Sequence, residues 1–218
     1  MLLNFKKILN DYKINSSGVI HIGAHYGHEV HKYVNANIKN ILLFEPLSKN
    51  FRQLKLNVSQ INYSKEDFDI ILENCALGKE KGQVEMFVEE VNQGMSSSIL
   101  EPAMHTEQYP HITFTKKEKV AVNTLDNYLQ WRDYCCGGVA DYDFINIDVQ
   151  GYELEVFKGA VDSLSKIKYI MTEVNRAELY KNCAKVEELD SFLSEYGFRR
   201  DITSWDGDTW GDAFYIKN

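Results

Sequence analysis

The sequence predicts an α/β fold in which helices cover both faces of a doubly wound, mostly parallel sheet. Five apolar, β-rich runs recur along the chain, GVIHI at 18–22, NILLF at 40–44, DIILENCA at 69–76, YDFINID at 142–148 and KYIMTEV at 168–174. Helical stretches lie between them, and strands alternating with helices build parallel sheets. The C-terminus departs from this rhythm. FRRDITSWDGDTWGDAFYIKN carries two strand-like runs around a Gly/Asp-rich turn, which predicts an antiparallel hairpin at the sheet's end.

Taken in order, GVIHI is the first strand, GAHYG the turn after it, and HEVHKYV the start of a helix. After NILLF, Leu47, Phe51, Leu54 and Val58 are spaced four, three and four apart, one face of a helix. Leu154, Phe157, Val161 and Leu164 repeat the pattern after the fourth strand. Val186, Leu189, Phe192 and Leu193 do so again before Gly197, which supplies a helix stop. These stripes are core positions and imply no chemistry. Residues 92–119, NQGMSSSILEPAMHTEQYPHITFTKKEK, form the one long irregular region, broken by Gly, Ser and Pro. Loops of that length in compact domains are usually functional or disordered, and this one is the candidate substrate loop.

At 218 residues the chain suits one domain spanning 1–218, with no internal repeats. Apolar residues make up 44% and charged residues 26%, the balance of a globular chain able to bury a core. A net charge of -8 argues against nucleic acid as a partner, because such binding rests on basic side chains neutralising phosphates. No apolar run approaches the roughly 20 residues that span a bilayer, and charges interrupt MLLNFKKILNDYKIN too early for a signal peptide. A cytoplasmic location is the expectation. Cys75, Cys135, Cys136 and Cys183 form no Cys-x-x-Cys pair, so reduced thiols are expected in place of disulfides or a thiolate zinc site.

The chemistry begins at GVIHIGAHYGHE. With Gly23 and Gly27 in the strand-to-helix turn, backbone can approach a ligand closely while a helix N-terminus faces it. The dinucleotide fingerprint asks for three glycines as G-x-G-x-x-G, and this chain has two as G-x-x-x-G, which disfavours NAD. The second strand ends in FEP, placing Glu45 where an open α/β sheet puts an acid against ribose hydroxyls. His21, His25, His28 and His31 invite a zinc reading. On the strand–turn–helix reading they do not share a face, so packing, capping or surface roles are expected.

With these motifs in view, the sequence resembles the FkbM-type methyltransferases, a branch of the S-adenosylmethionine-dependent class I methyltransferases. The resemblance runs through VIHIGAHYGHE, LLFEP, NCALG at 74–78, NQGMSSSIL at 92–100, VNTLDNYL at 122–129, YDFINIDVQGYELEVFKGA at 142–160, IMTEVN at 170–175, the GF of 197–198 and WGDAFYI at 210–216. It implies a seven-stranded Rossmann-like methyltransferase sheet. It also implies that Gly23, Ala24 and Gly27 approach the methionine part of S-adenosylmethionine, that Glu45 holds the ribose, and that Asn74, Cys75 and Ala76 flank the adenine. Asp148 would face the methyl or amino group. Many members of the class carry an acid where this chain has His21, a cofactor-site position. A neutral imidazole brings no negative charge, so Glu29 or Asp148 is expected to compensate.

Methyl transfer from a sulfonium is an in-line displacement, and a hydroxyl acceptor needs a base or a divalent cation. Asp148, Glu173 and Asn175 end the fourth and fifth strands and would suit Mg²⁺ or Mn²⁺; alternatively Asp148 holds the cofactor and Glu173 caps a loop. His105 and His111 in the irregular loop are candidate bases, His105 preferred for lying nearer SSSIL. Ser96, Ser97, Ser98, Gln150 and Tyr152 are candidates to line the acceptor site. Asp148, His105 and Glu173 are thus the expected catalytic set. The expected function is O-methylation of a sugar or glycan hydroxyl, against three alternatives: methylation of a small natural product, a non-catalytic S-adenosylmethionine binder, and an NAD-linked oxidoreductase. The acceptor's identity and the oligomeric state stay open.

Overall fold

The computed structural model describes residues 2–136 and 140–218. Its first half runs α1 (Phe5–Asp11), β1 (Gly18–Ile22), α2 (Val30–Asn35), β2 (Asn40–Phe44), α3 (Ser48–Gln60), β3 (Asp69–Glu73), β4 (Ala76–Leu77) and β5 (Gly82–Glu89). The second half runs α4 (Met104–Gln108), β6 (Phe114–Asn123), α5 (Leu125–Cys136), β7 (Phe144–Ile147), α6 (Glu153–Lys158), β8 (Tyr169–Asn175), α7 (Val186–Glu195), β9 (Phe198–Asp206) and β10 (Trp210–Lys217).

Seven strands form one sheet in the order β3-β2-β1-β7-β8-β10-β9. The first five are parallel, and β10 then pairs antiparallel to β8 and to β9, so the expected hairpin closes the sheet. β1 and β7 are buried along their whole length because both faces are covered. Alternation divides their side chains: Ile20, Ile22, Ile145 and Ile147 enter one core with α6 and α7, while Val19 and Phe144 enter the other with α1, α2 and α3.

Three expectations need correction. The run at 69–76 is not one strand: β3 stops at Glu73, and Ala76–Leu77 pairs instead with β6 in a second sheet of order β4-β6-β5. The irregular region 92–119 contains α4 and the first half of β6, whose lysines hide a strand because its outer face is solvated. The stripe ending at Leu164 is broken as well. α6 stops at Lys158, a short 3₁₀ turn follows at Ser163–Ser165, and Val161 is exposed between them. No helix among the described residues is long and apolar enough to cross a membrane.

Candidate active site

Strand order reverses between β1 and β7, and open α/β sheets bind ligands at such a switch point beyond the strands' carboxyl ends. Gly23 follows β1 with a φ of +81°, and a Cβ there would stand 2.0 Å from the Asp148 carbonyl oxygen. Only glycine fits this corner. The N–H groups of Gly23 and Ala24 donate to Phe44 O at 3.0 and 2.9 Å, and that of Asp148 to Ile22 O at 3.1 Å. Three strand ends are thereby stitched together.

Glu45, 4% exposed, accepts from the backbone N–H of His25 and of Leu47, each at 2.9 Å. Burial nonetheless pushes its carboxyl up to about 7, against those two bonds. The cavity above Glu45 and Gly23 is walled by Phe44, Leu47, Cys75, Ala76, Leu77 and Ile99. An apolar slot with one anchored carboxylate suits a flat heterocycle carrying a ribose.

Beside it, Gln150 sits in the left-handed region at φ +56°. Its Nε2 donates to Asp148 Oδ1 at 2.8 Å and to Glu173 Oε2 at 2.7 Å, and its Oε1 accepts from the Tyr180 hydroxyl at 2.9 Å. Burial, then Asp148 and Glu153, drive the Glu173 carboxyl well above the usual range. A second cavity, of about 430 Å³, opens over this cluster, lined by His105, Tyr109, His111, Asp148, Glu173 and Trp210 among others. That size falls in the ordinary range for small-ligand sites. His105 is 4% exposed, its ring lies 5.1 to 5.4 Å from those of Tyr109, Phe114 and Tyr180, and its Nδ1 has no hydrogen-bond partner among the described residues. Burial lowers its pKa, favouring the uncharged ring.

Of the residues expected at the cofactor, Gly23, Glu45, Cys75, Ala76 and Asp148 line the first cavity. His21, Ala24, Gly27 and Asn74 are not among its lining. His21 lies in the sheet with Nδ1 3.0 Å from the Tyr33 hydroxyl, which accepts from Asn146 Nδ2 at 2.6 Å. Burial lowers its pKa, with the Glu29 and Asp148 carboxylates opposing. Ala24 is buried. A Cβ at Gly27 would meet Leu54 Cδ1 at 2.5 Å, so that glycine serves packing against α3. The Asn74 amide clamps the carbonyls of Glu45 and Pro46 at 2.9 and 3.0 Å. His28 lies in the turn before α2, one helical turn from His31 only in sequence.

Asp148, His105, His111 and Glu173 all line the second cavity, together with Ser96 and Gln150. Ser97 and Tyr152 line the first instead, and Ser98 Oγ donates to Gln150 O at 2.7 Å. Asn175 lies beneath, its Nδ2 3.4 Å from Glu173 Oε1. As arranged, Asp148, Glu173 and Asn175 do not fit a divalent cation, because the Gln150 amide nitrogen, a donor, occupies the place between the two carboxyls. Among the described residues no group of three or more His, Cys, Asp or Glu is disposed to hold a metal. Asn92, Met95 and Tyr109 of the expected substrate loop also line the second cavity, and so do Asp206 and Trp210 of the hairpin, which the sequence did not single out.

A reversed strand order, a glycine corner, an anchored acid after the second strand and an antiparallel hairpin together define the Rossmann-like methyltransferase class. Residues 21–200 match the model of the methyltransferase FkbM domain, and the chain belongs to that family. It is 34% identical over 88 residues to the 2-O-methyltransferase NoeI of Sinorhizobium fredii, a match that spans 40% of this chain and 34% of that protein. The crystal structure of an FkbM methyltransferase from Methylobacillus flagellatus KT superposes with a TM-score of 0.61 at 14% identity, over 92% of this chain and 43% of that one. Magnesium protoporphyrin IX methyltransferase from Synechocystis PCC 6803, solved with bound S-adenosylmethionine, does so with a TM-score of 0.54 at 9% identity, over 98% and 76%. These structures share the fold.

Proposed function

We propose that this chain transfers the methyl group of S-adenosylmethionine to a hydroxyl of a sugar or glycan. One observation carries the reading: the cavity built on Gly23 and Glu45 and the cavity built on His105 and Trp210 share Met95, Asp148 and Gln150. Displacement at a methyl group needs donor and acceptor sites that touch end to end, since most of the catalysis is positioning. The match to a 2-O-methyltransferase supports oxygen as the receiving atom.

The residues fit the cofactor. Glu45 keeps free lone pairs for ribose hydroxyls after accepting its two backbone bonds. Phe44, Ala76 and Leu77 supply apolar walls for the adenine, and the bare Gly23 backbone admits the methionine portion. When bound, the cofactor supplies an electrophilic methyl on a sulfonium. Asp148 alone among the carboxylates borders both cavities, so it accepts the hydrogen bond of the incoming hydroxyl and sets its angle. Glu173, with its affinity for protons raised by burial, shares the Gln150 amide with Asp148. His105, kept uncharged, offers the imidazole lone pair that takes the hydroxyl proton. No step requires a cation.

The test is transfer of isotope-labelled methyl from S-adenosylmethionine to a panel of glycosides, followed by hydrolysis to find the labelled atom. Label on a sugar oxygen, absent with Asp148→Asn, supports the proposal. Label only on apolar phenolic or macrolide acceptors would move the acceptor class to a small natural product.

A further inference from the structure

We infer that the acceptor cavity selects its substrate by charge, taking an uncharged or amine-bearing sugar and rejecting one that carries a carboxylate or phosphate. The sugar part rests on the function proposed above; the charge part stands on the cavity itself. Asp148 and Glu173 form its floor, and Asp206, exposed at the end of β9, stands at its mouth. Among the described lining residues there is no lysine or arginine. The guanidinium of Arg176, just past β8, is stacked on the Trp205 ring at 3.6 Å and is outside the lining. Burial disfavours protonation of His105. With Asp148 at the floor and Asp206 at the mouth, an anionic substituent meets a carboxylate in either orientation of the ring.

The remaining walls suit a polyol. Trp210 Nε1 donates to the Tyr109 hydroxyl at 3.0 Å. The indole's single donor is thereby spent, and the aromatic wall can offer its ring surface to the apolar face of a pyranose. A net charge of -8 adds a long-range bias against anions. Phosphate recognition elsewhere depends on Arg, Lys or a run of free N–H groups.

The experiment has two arms. In the first, labelled methyl transfer is compared across one ring in four forms: methyl glycoside, amino sugar, uronic acid and 6-phosphate. The neutral and amino forms should exceed the anionic ones in kcat/KM by at least about tenfold, and Asp206→Lys should shrink that ratio severalfold. In the second, Trp131 and Trp205 are replaced by Phe, and Trp210 fluorescence is quenched with caesium and with iodide, each normalised to free tryptophan. Caesium should quench more strongly at low salt, with the difference closing as salt screens the carboxylates. Equal or better transfer to the uronic acid or phosphate, or iodide quenching that matches caesium, overturns the inference. If no sugar is methylated while caesium quenches preferentially, the sugar reading fails and charge selection stands.

Discussion

The cofactor cleft takes its key groups from strand ends that the sheet places side by side, Gly23 after β1, Glu45 after β2 and Asp148 after β7. The acceptor cavity gathers its walls from 92–96, 105–112, Leu179 and 206–210, segments that reach it from different edges of the fold. Backbone N–H groups anchor the first, as His25 and Leu47 do for Glu45. Side chains hold the second, as Tyr180 and Gln150 do across 30 residues. A site written in strand register is rigid and general, whereas one written in side chains can change its acceptor without disturbing the sheet.

Substitutions should separate the two regions. The largest effect is expected at their junction: Asp148→Asn should lower kcat by about 10² or more while leaving product affinity within a few fold, read by steady-state kinetics and calorimetry. Next, His105→Gln should cost about 10- to 100-fold in kcat. In the unaltered protein activity should fall with acid through a pKa below the usual imidazole value, because a base works only when deprotonated and burial lowers this one. That acidic limb should vanish in the variant; a limb that persists would assign the proton to Glu173. On the cofactor side, Glu45→Gln should weaken S-adenosylhomocysteine about tenfold and flatten its pH dependence. Affinity in the unaltered protein should decline as pH drops through about 7, where Glu45 takes up a proton and loses acceptor strength. Trp210→Phe should raise the acceptor KM a few fold through the lost bond to Tyr109, with cofactor affinity unchanged. The smallest effect is expected from chelators, which should leave turnover unchanged because the Gln150 amide already bridges the two carboxyls.

The same contrast explains what could be read from the chain. Gly23, Glu45 and Asp148 were legible because strand periodicity locates each strand end, and strand ends are where such a cleft forms. The family resemblance assigns Gly27 and Asn74 to the cofactor; in the fold a Cβ at Gly27 would meet Leu54, and the Asn74 amide nitrogen holds the Glu45 and Pro46 carbonyls. The β4-β6-β5 sheet was missed because one face of β6 is solvated and rich in lysine, which mimics a loop. Trp210 and Asp206 were placed in the hairpin, but nothing local says that its turn end reaches toward His105. Gln150 was read as a wall residue, and only its left-handed backbone explains how one amide reaches both Asp148 and Glu173.

The most direct test of the cofactor corner is calorimetric titration of the folded protein with S-adenosylhomocysteine, using NAD as the control ligand and Glu45→Gln as the control protein. Micromolar binding of the thioether, no heat with NAD, and clearly weaker binding by the variant are expected. No heat with S-adenosylhomocysteine from a protein that melts cooperatively, or equal binding by both proteins, would contradict it.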